Sequence, residues 1–396
     1  MLGGVWLAYF SFGLVQGGIP PLIGPVSEDL GFSRSSMGTL LGAWPVVYIA
    51  VAVPAGAIID RFSLKLTIAF GITLIAMSGL LRAVASDYST MLVAVMVFGL
   101  GGPFVSIGAP KLISIWFDYK QRGRAMGIYL TAPALGRILV LAISNSILMP
   151  LFDYSWRWTL SMVAAAALAS VVIWLCVARE DPYHESEGGG KNLLVSMRIF
   201  PELMKNRLIR IILLIVLGMF LFNHGTNNWM PEILSDKGMS PSRAGLLAAI
   251  PVAMGAVGAV TIPQIATPNR RRFILSLGFF ITALASLVLI RTEGSLLLSA
   301  LILLGISSRG IMPVIMLILI DYVGPKRTGA AGGLYFTFGE IGGVIGPIFL
   351  GVSSDLIGGF GKGILLLGSM CFLLGVIALT LKPTAQNLFI GKNYES

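Results

Sequence analysis

The chain has 396 residues and a formal net charge of +10, yet only 12% of its residues are charged and 56% are hydrophobic. A soluble domain carries about 25% charged residues, so this composition excludes a water-soluble two-domain protein and requires a chain that mostly faces lipid. The two cysteines, Cys176 and Cys371, lie in apolar runs and point to neither a disulfide framework nor a metal cluster.

A membrane-spanning helix needs about 20 mostly apolar residues. Twelve such segments follow in chain order, at roughly 3–25, 35–59, 66–84, 89–117, 125–151, 156–178, 208–233, 243–266, 273–290, 295–320, 329–353 and 363–381. The expected fold class is an all-α integral membrane protein. The first segment is not expected to be a signal peptide, because it lacks a basic leader and its apolar run is too long. It starts so close to Met1 that a longer natural N-terminus is left open.

With Met1 placed inside, the inner segments hold 18 lysines and arginines and the outer segments and helix ends hold 7. That bias places both termini in the cytoplasm of a cell (inner) membrane. The positive residues are scattered among apolar runs rather than gathered in a stripe, so membrane orientation explains them and no nucleic-acid partner is expected.

The longest polar stretch, 179–207, is the expected cytoplasmic linker between an N-terminal six-helix bundle (1–178) and a C-terminal one with a short tail (208–396). Its "GGGKN" is not a phosphate loop. Glu185 stands where that motif needs glycine, and Asn192 replaces the Ser or Thr that holds magnesium. No cofactor and no resident metal are expected. The halves resemble each other at an offset near 205 residues. "GFSRSSMGTLL" from Gly31 matches "GMSPSRAGLLA" from Gly238, and Tyr129, Thr131 and Gly136 match Tyr335, Thr337 and Gly342. A parallel duplication of six helices is a known transporter plan.

"GAIIDRFSLK" (Gly56 to Lys65), "RGRAMG" (Arg122 to Gly127) and "SWRWT" (Ser155 to Thr159) carry a family likeness. The first resembles the loop signature of the major facilitator superfamily between helices two and three: Gly56, Asp60, Arg61 and Lys65 fit, while Ser63 and Leu64 depart from it. The resemblance implies two pseudo-symmetric bundles moving in alternating access. It also implies a cytoplasmic latch in which Asp60 and Arg61 join helices two and eleven, with Asp118 as partner and Arg122 in the adjoining loop.

Three basic residues fall inside helices: Lys111, Arg137 and Arg309. Arg137 stands about thirteen residues into its helix, roughly 20 Å at the helical rise, which is near mid-membrane. An arginine at that depth costs at least about 2.5–3.5 kcal/mol and marks a functional position by default. Lys111 lies nearer the inner end, where its stem can snorkel to water. Glu340 is the acid clearly inside a helix. Two deep guanidiniums against one carboxylate leave a surplus that a small anion fills, and a planar guanidinium suits a carboxylate or oxyanion. Arg309 and Arg137 are therefore expected to coordinate an anionic substrate near the midplane, with Lys111 a lesser candidate. The alternatives are an Arg–Glu340 pair, or Arg137 bound to helix-end carbonyls.

Helix seven carries "FNHGTNNWMPE". Asn223 and Asn227 share a face, and unpaired amides in lipid are costly, so that face is expected to line the substrate path, with Gln16 as the counterpart in helix one. Gly225 and Pro231 mark an expected break in helix seven. Tyr129 and Tyr335 are expected cavity walls, and Glu340 and His224 are the proton-coupling candidates. The function that emerges is a secondary transporter of a small organic or inorganic anion, not an enzyme, acting as a monomer in the bilayer. The alternatives are a drug or metabolite exporter of the same superfamily, for which an acidic cavity is the discriminating feature, and a non-transporting membrane sensor.

Overall fold

The structure, a computed structural model, describes residues 1–179, 201–323 and 327–381; of Tyr119 and residues 328–330 only the backbone is described. Most of the linker expected at 179–207 lies outside the described residues. Among the described residues twelve helices are long and apolar enough to cross a membrane: α1 (Leu2–Leu30), α2 (Arg34–Arg61), α3 (Leu64–Ala83), α4 (Tyr88–Trp116), α5 (Lys120–Leu151), α6 (Trp156–Val177), α7 (Arg207–Ser235), α8 (Pro241–Ile265), α9 (Arg271–Arg291), α10 (Gly294–Val323), α11 (Ala331–Ile357) and α12 (Phe360–Leu379). Large apolar side chains such as Leu151, Val172 and Leu373 stay exposed along them, which a lipid-facing surface requires. Helix α5 begins five residues before its expected start. Its first turn holds exposed Lys120, Arg122 and Arg124, so hydropathy reads it as loop although the backbone is already helical.

Helix α1 is interrupted, and α7 is not. The helical stretch Leu2–Gln16 stops at Gly17, and Pro20–Leu22 forms a tight turn before the helix resumes at Ile23–Leu30. Pro20 and Pro21 bring no N–H donors. The expected break in α7 at Gly225 and Pro231 does not occur, because α7 runs unbroken from Arg207 to Ser235. Pro231 still removes one donor, the one that would reach the carbonyl of Asn227 four residues earlier.

The turns between spans follow local chemistry. Gly31 (φ 68°) and Gly238 (φ 81°) both adopt the left-handed conformation after their helices, a region that favours glycine. Ser33 then accepts from Ser36 N–H at 3.1 Å to start α2, and Ser240 from Arg243 N–H at 3.4 Å near the start of α8. At the start of α4, Asp87 Oδ1 accepts from Thr90 N–H at 2.9 Å, and Thr90 Oγ1 accepts from Asp87 N–H at 3.2 Å. The Thr90 N–H holds the Asp87 carboxyl below the ordinary carboxylate range. A depressed folded value stabilises the protein above the unfolded pKa, and the contribution is lost as pH falls through the folded value. Asp87→Ala is therefore expected to lower the unfolding temperature at pH 7 and to have much less effect at about pH 3, below the ordinary aspartate value. Asp87→Asn, which keeps a cap without the charge, is expected to remove that acid dependence. Thermal unfolding in detergent at the two pH values checks both.

The chain forms two compact units, Met1–Gly190 with Gly225–Ala253 and Val344–Phe360, and Lys191–His224 with Met254–Gly343 and Gly361–Ser396. In the first unit α1 packs on α5 and α6, α2 on α4, and α3 on α4 and α6. Phe12, Trp44 and Phe98 form its aromatic centre, with Phe12 and Phe98 ring centroids 4.8 Å apart. The same unit takes in the later part of α7, most of the first half of α8 and the later part of α11. In the second unit α9 packs on α10, with the Thr282 and Ser307 hydroxyls 2.8 Å apart between them.

Candidate functional site

Arg309 is the exposed question of the second unit. It sits midway along α10, partly accessible, and makes no hydrogen bond or ion pair among the described residues. Its stem crosses α8 over Gly255, where any side chain would collide with it. The neighbouring Ser308 Oγ donates to Asn223 Oδ1 at 3.2 Å, and Asn223 Nδ2 donates to the Met219 carbonyl at 3.1 Å. Asn223 thus ties α7 to α10 beside the arginine. Tyr335 is buried and donates its hydroxyl to Met312 O at 3.0 Å, with its ring against Phe220. Glu340 is 8% exposed, and its Oε2 has no hydrogen-bond partner. No ion pair joins Glu340 to Arg309 among the described residues. His224 stacks on Phe220 at 5.9 Å.

Arg137 has a different setting. It is 6% exposed in the first unit, and its Nη2 donates to the Asn227 carbonyl at 3.1 Å and to Asn228 Oδ1 at 2.9 Å. The Asn227 carbonyl is the acceptor that Pro231 leaves without its helical donor. The arginine in the apolar run therefore completes the hydrogen bonding of a proline-interrupted helix. Arg137→Ala removes a charged donor from a buried carbonyl and from Asn228 Oδ1, and is expected to destabilise by about 1–3 kcal/mol. Pro231→Ala restores an N–H four residues on, so the double variant is expected to regain part of that loss. Unfolding free energies of the four proteins in detergent decide it: strictly additive losses would remove the link.

The remaining expected residues take varied places. Gln16 is half-buried at the end of the first stretch of α1 and makes no hydrogen bond among the described residues. Asn227 is 6% exposed. Tyr129 is buried within the first unit, stacked on Tyr9 at 4.6 Å. Lys111 Nζ lies 2.7 Å from Asp60 Oδ1 and 3.2 Å from the Ile59 carbonyl. The expected latch partners are not joined in this structure. Asp60 holds Lys111 of α4, while Asp118 is exposed and bonds neither Asp60 nor Arg61, which is itself exposed. The long lysine stem reaches the end of α2 more easily than a short aspartate can. Arg122 Nε donates to the Phe117 carbonyl, Lys65 offers its carbonyl to Trp174 Nε1, and Gly56 is half-buried with open space above its Cα.

Two features have no counterpart in the sequence reading. Arg82, one of the seven basic residues of the outer segments and helix ends, is 3% exposed; its Nη1 donates to Val15 O at 2.9 Å where α1 is interrupted, and it lies over the Phe98 ring. The signal was the Gly17–Pro21 stretch, which predicts freed carbonyls in α1. The second is a seam at the ends of the spans away from Met1. Arg34 donates to Asp236 Oδ1 at 2.7 Å and to Ser354 Oγ at 2.8 Å, and Ser35 donates twice to Asp355 Oδ2. Behind them α2 and α11 touch through backbone: a Cβ on Gly38 would lie 2.6 Å from Pro347 O, and one on Gly42 2.6 Å from Val344 O.

Twelve spans among the described residues, with guanidiniums inside them and a glycine-lined helix seam, define a multi-pass membrane protein, and the family it matches is one of transporters rather than enzymes. The chain belongs to the Major Facilitator Superfamily, whose pattern it matches over residues 5–347 and again over 269–390. It is 23% identical over 384 residues to the probable galactarate/D-glucarate transporter GudP of Bacillus subtilis, covering 87% of this chain and 83% of that one. A putative tartrate transporter of Agrobacterium vitis is 24% identical, covering 91% and 88%. The hexuronate transporter of Bacillus subtilis is 24% identical, covering 87% and 85%. Among solved structures, the nucleoside transporter NupG superposes with a TM-score of 0.81 at 15% identity, covering 95% of this chain and 98% of that one. A bacterial homologue of the human lysosomal transporter Spinster gives 0.80 at 17% identity, covering 96% and 94%. These structural likenesses bear on the fold alone.

Proposed function

We propose that the protein is a secondary transporter of a small organic acid anion, working by alternating access in a cell membrane with both termini cytoplasmic. The observation that carries this reading is Arg309, a guanidinium in the middle of a span that is partly accessible and has no partner of its own. A charge at that depth persists when something neutralises it, and a carboxylate matches its fork of donors. The relatives named for galactarate, glucarate, tartrate and hexuronate favour hydroxylated sugar acids as the substrate class. The basic residues exposed at Arg61, Lys120, Arg122 and Arg124 support the orientation.

Thermal unfolding of the purified protein tests the proposal, with galactarate, D-glucarate, tartrate and a hexuronate set against neutral sugars and lipophilic cations. A ligand at 100 times its dissociation constant stabilises by about 2.7 kcal/mol when it binds only the folded state. Stabilisation by an acid and not by its neutral sugar supports the reading. Stabilisation by lipophilic cations alone overturns it.

A further inference from the structure

The second unit holds a cluster that an anion site does not need. Gly343 of α11 faces α7, and a methyl group on it would sit 2.9 Å from Glu340 Oε2 and 3.1 Å from His224 Nδ1. The acid and the imidazole therefore border one small space that only glycine leaves empty. Glu340 Oε2 is buried and has no hydrogen-bond partner. His224 is half-buried, its ring stacked on Phe220.

We infer that Glu340 and His224 form a paired proton site, with Glu340 the store and His224 the group through which the proton enters and leaves. A buried carboxylate oxygen without a donor is unfavourable as an anion and acceptable as a neutral acid. The imidazole is partly accessible, takes a proton from water on one ring nitrogen and passes it to the neighbouring carboxylate. One proton is gained, Glu340 becomes uncharged, and the reverse transfer returns the proton to water. The other charged and titratable groups on the elements against this part of α11 are Arg207, Arg210 and Glu232 on α7, and Arg309 on α10, with Asp321 and Tyr322 at that helix's end. Tyr335, on α11 itself, donates its hydroxyl to Met312 O.

This inference rests on the anion-transport reading and extends it. An ionised Glu340 competes with an incoming carboxylate for the positive charge of the same unit. A protonated Glu340 leaves Arg309 to the substrate. Proton and anion therefore bind together and cross together.

The test uses the full-length protein in proteoliposomes and radiolabelled galactarate, D-glucarate or tartrate. Two rates are compared: exchange against internal substrate at equal pH, and accumulation driven by an inside-alkaline gradient. The wild-type protein is expected to do both. In Glu340→Gln the ratio of gradient-driven accumulation to exchange is expected to fall at least 10-fold. Gly343→Ala, which keeps both residues in the chain and pushes a methyl group between them, is expected to lower the same ratio. A Glu340→Gln protein that keeps the wild-type ratio overturns the proton site. So does a wild-type protein that exchanges but ignores the gradient, and in that case anion transport stands. A folded wild-type protein that exchanges none of the acids overturns the transport reading itself.

Discussion

Arg309→Ala is expected to abolish acid-dependent stabilisation and to raise the dissociation constant for the substrate acid roughly 10- to 150-fold. A hydrogen bond to a charged group contributes about 1.5–3 kcal/mol, and each 1.4 kcal/mol is a factor of ten. Arg309→Lys keeps the charge and loses the planar fork, so an intermediate loss is expected. Titration calorimetry or ligand-dependent unfolding measures both. The fold is expected to survive, since Arg309 bonds to no described residue that its removal would strand. Equal affinity in the alanine variant and the wild type would dismiss Arg309 as a ligand.

Filling the seam between α2 and α11 is expected to hold the far side of the protein open. Gly38 and Gly42 lie one turn apart, and each would place a Cβ 2.6 Å from a backbone oxygen of α11. Backbone cannot step aside as a side chain does, so each overpacking substitution costs about 1–3 kcal/mol in the closed arrangement. The pair Arg34–Asp236 in the same seam is about one-third exposed on both sides and contributes only about 0–1 kcal/mol. The double variant Gly38→Val, Gly42→Val should therefore act more strongly than Arg34→Ala. The readout is labelling of a cysteine placed at Ser353, which is 6% exposed on α11, by a membrane-impermeant maleimide after Cys176→Ser. At least a 10-fold faster rate is expected in the double variant, with substrate turnover reduced. An unchanged rate in the double variant, or a larger change in Arg34→Ala, would show that the close approach does not hold the seam.

The spans were legible because lipid imposes a simple rule: a helix must present about twenty apolar residues in succession. The internal repeat paired two glycines whose conformation only the structure shows. Gly31 and Gly238, matched through the internal repeat, both adopt the left-handed conformation that ends their helices. Partners were harder to read, because they depend on how side chains bend back between helices. Lys111 reaches Asp60 across 51 residues, and no spacing in the sequence records that. The break expected in α7 was a local reading of Gly225 and Pro231, and the distant Arg137 answers for the missing donor. Glu340 and His224 were each conspicuous as titratable groups in a span. Their meeting over Gly343 needed the crossing of two helices more than a hundred residues apart.

Arg82 has a consequence that reaches beyond its own hydrogen bond. It is held by a neutral carbonyl, and among the described residues neither it nor Arg309 has a carboxylate partner. A guanidinium does not titrate in the working range of a cell, so each unit carries a fixed positive source within a span, Arg82 near the end of α3 and Arg309 midway along α10. There the potential falls off far more slowly than it does in water. Under the proposed function, selection by sign of charge is therefore expected to begin before any solute touches a side chain: an organic cation would meet a barrier on approach, while an acid of the same size would be drawn inward.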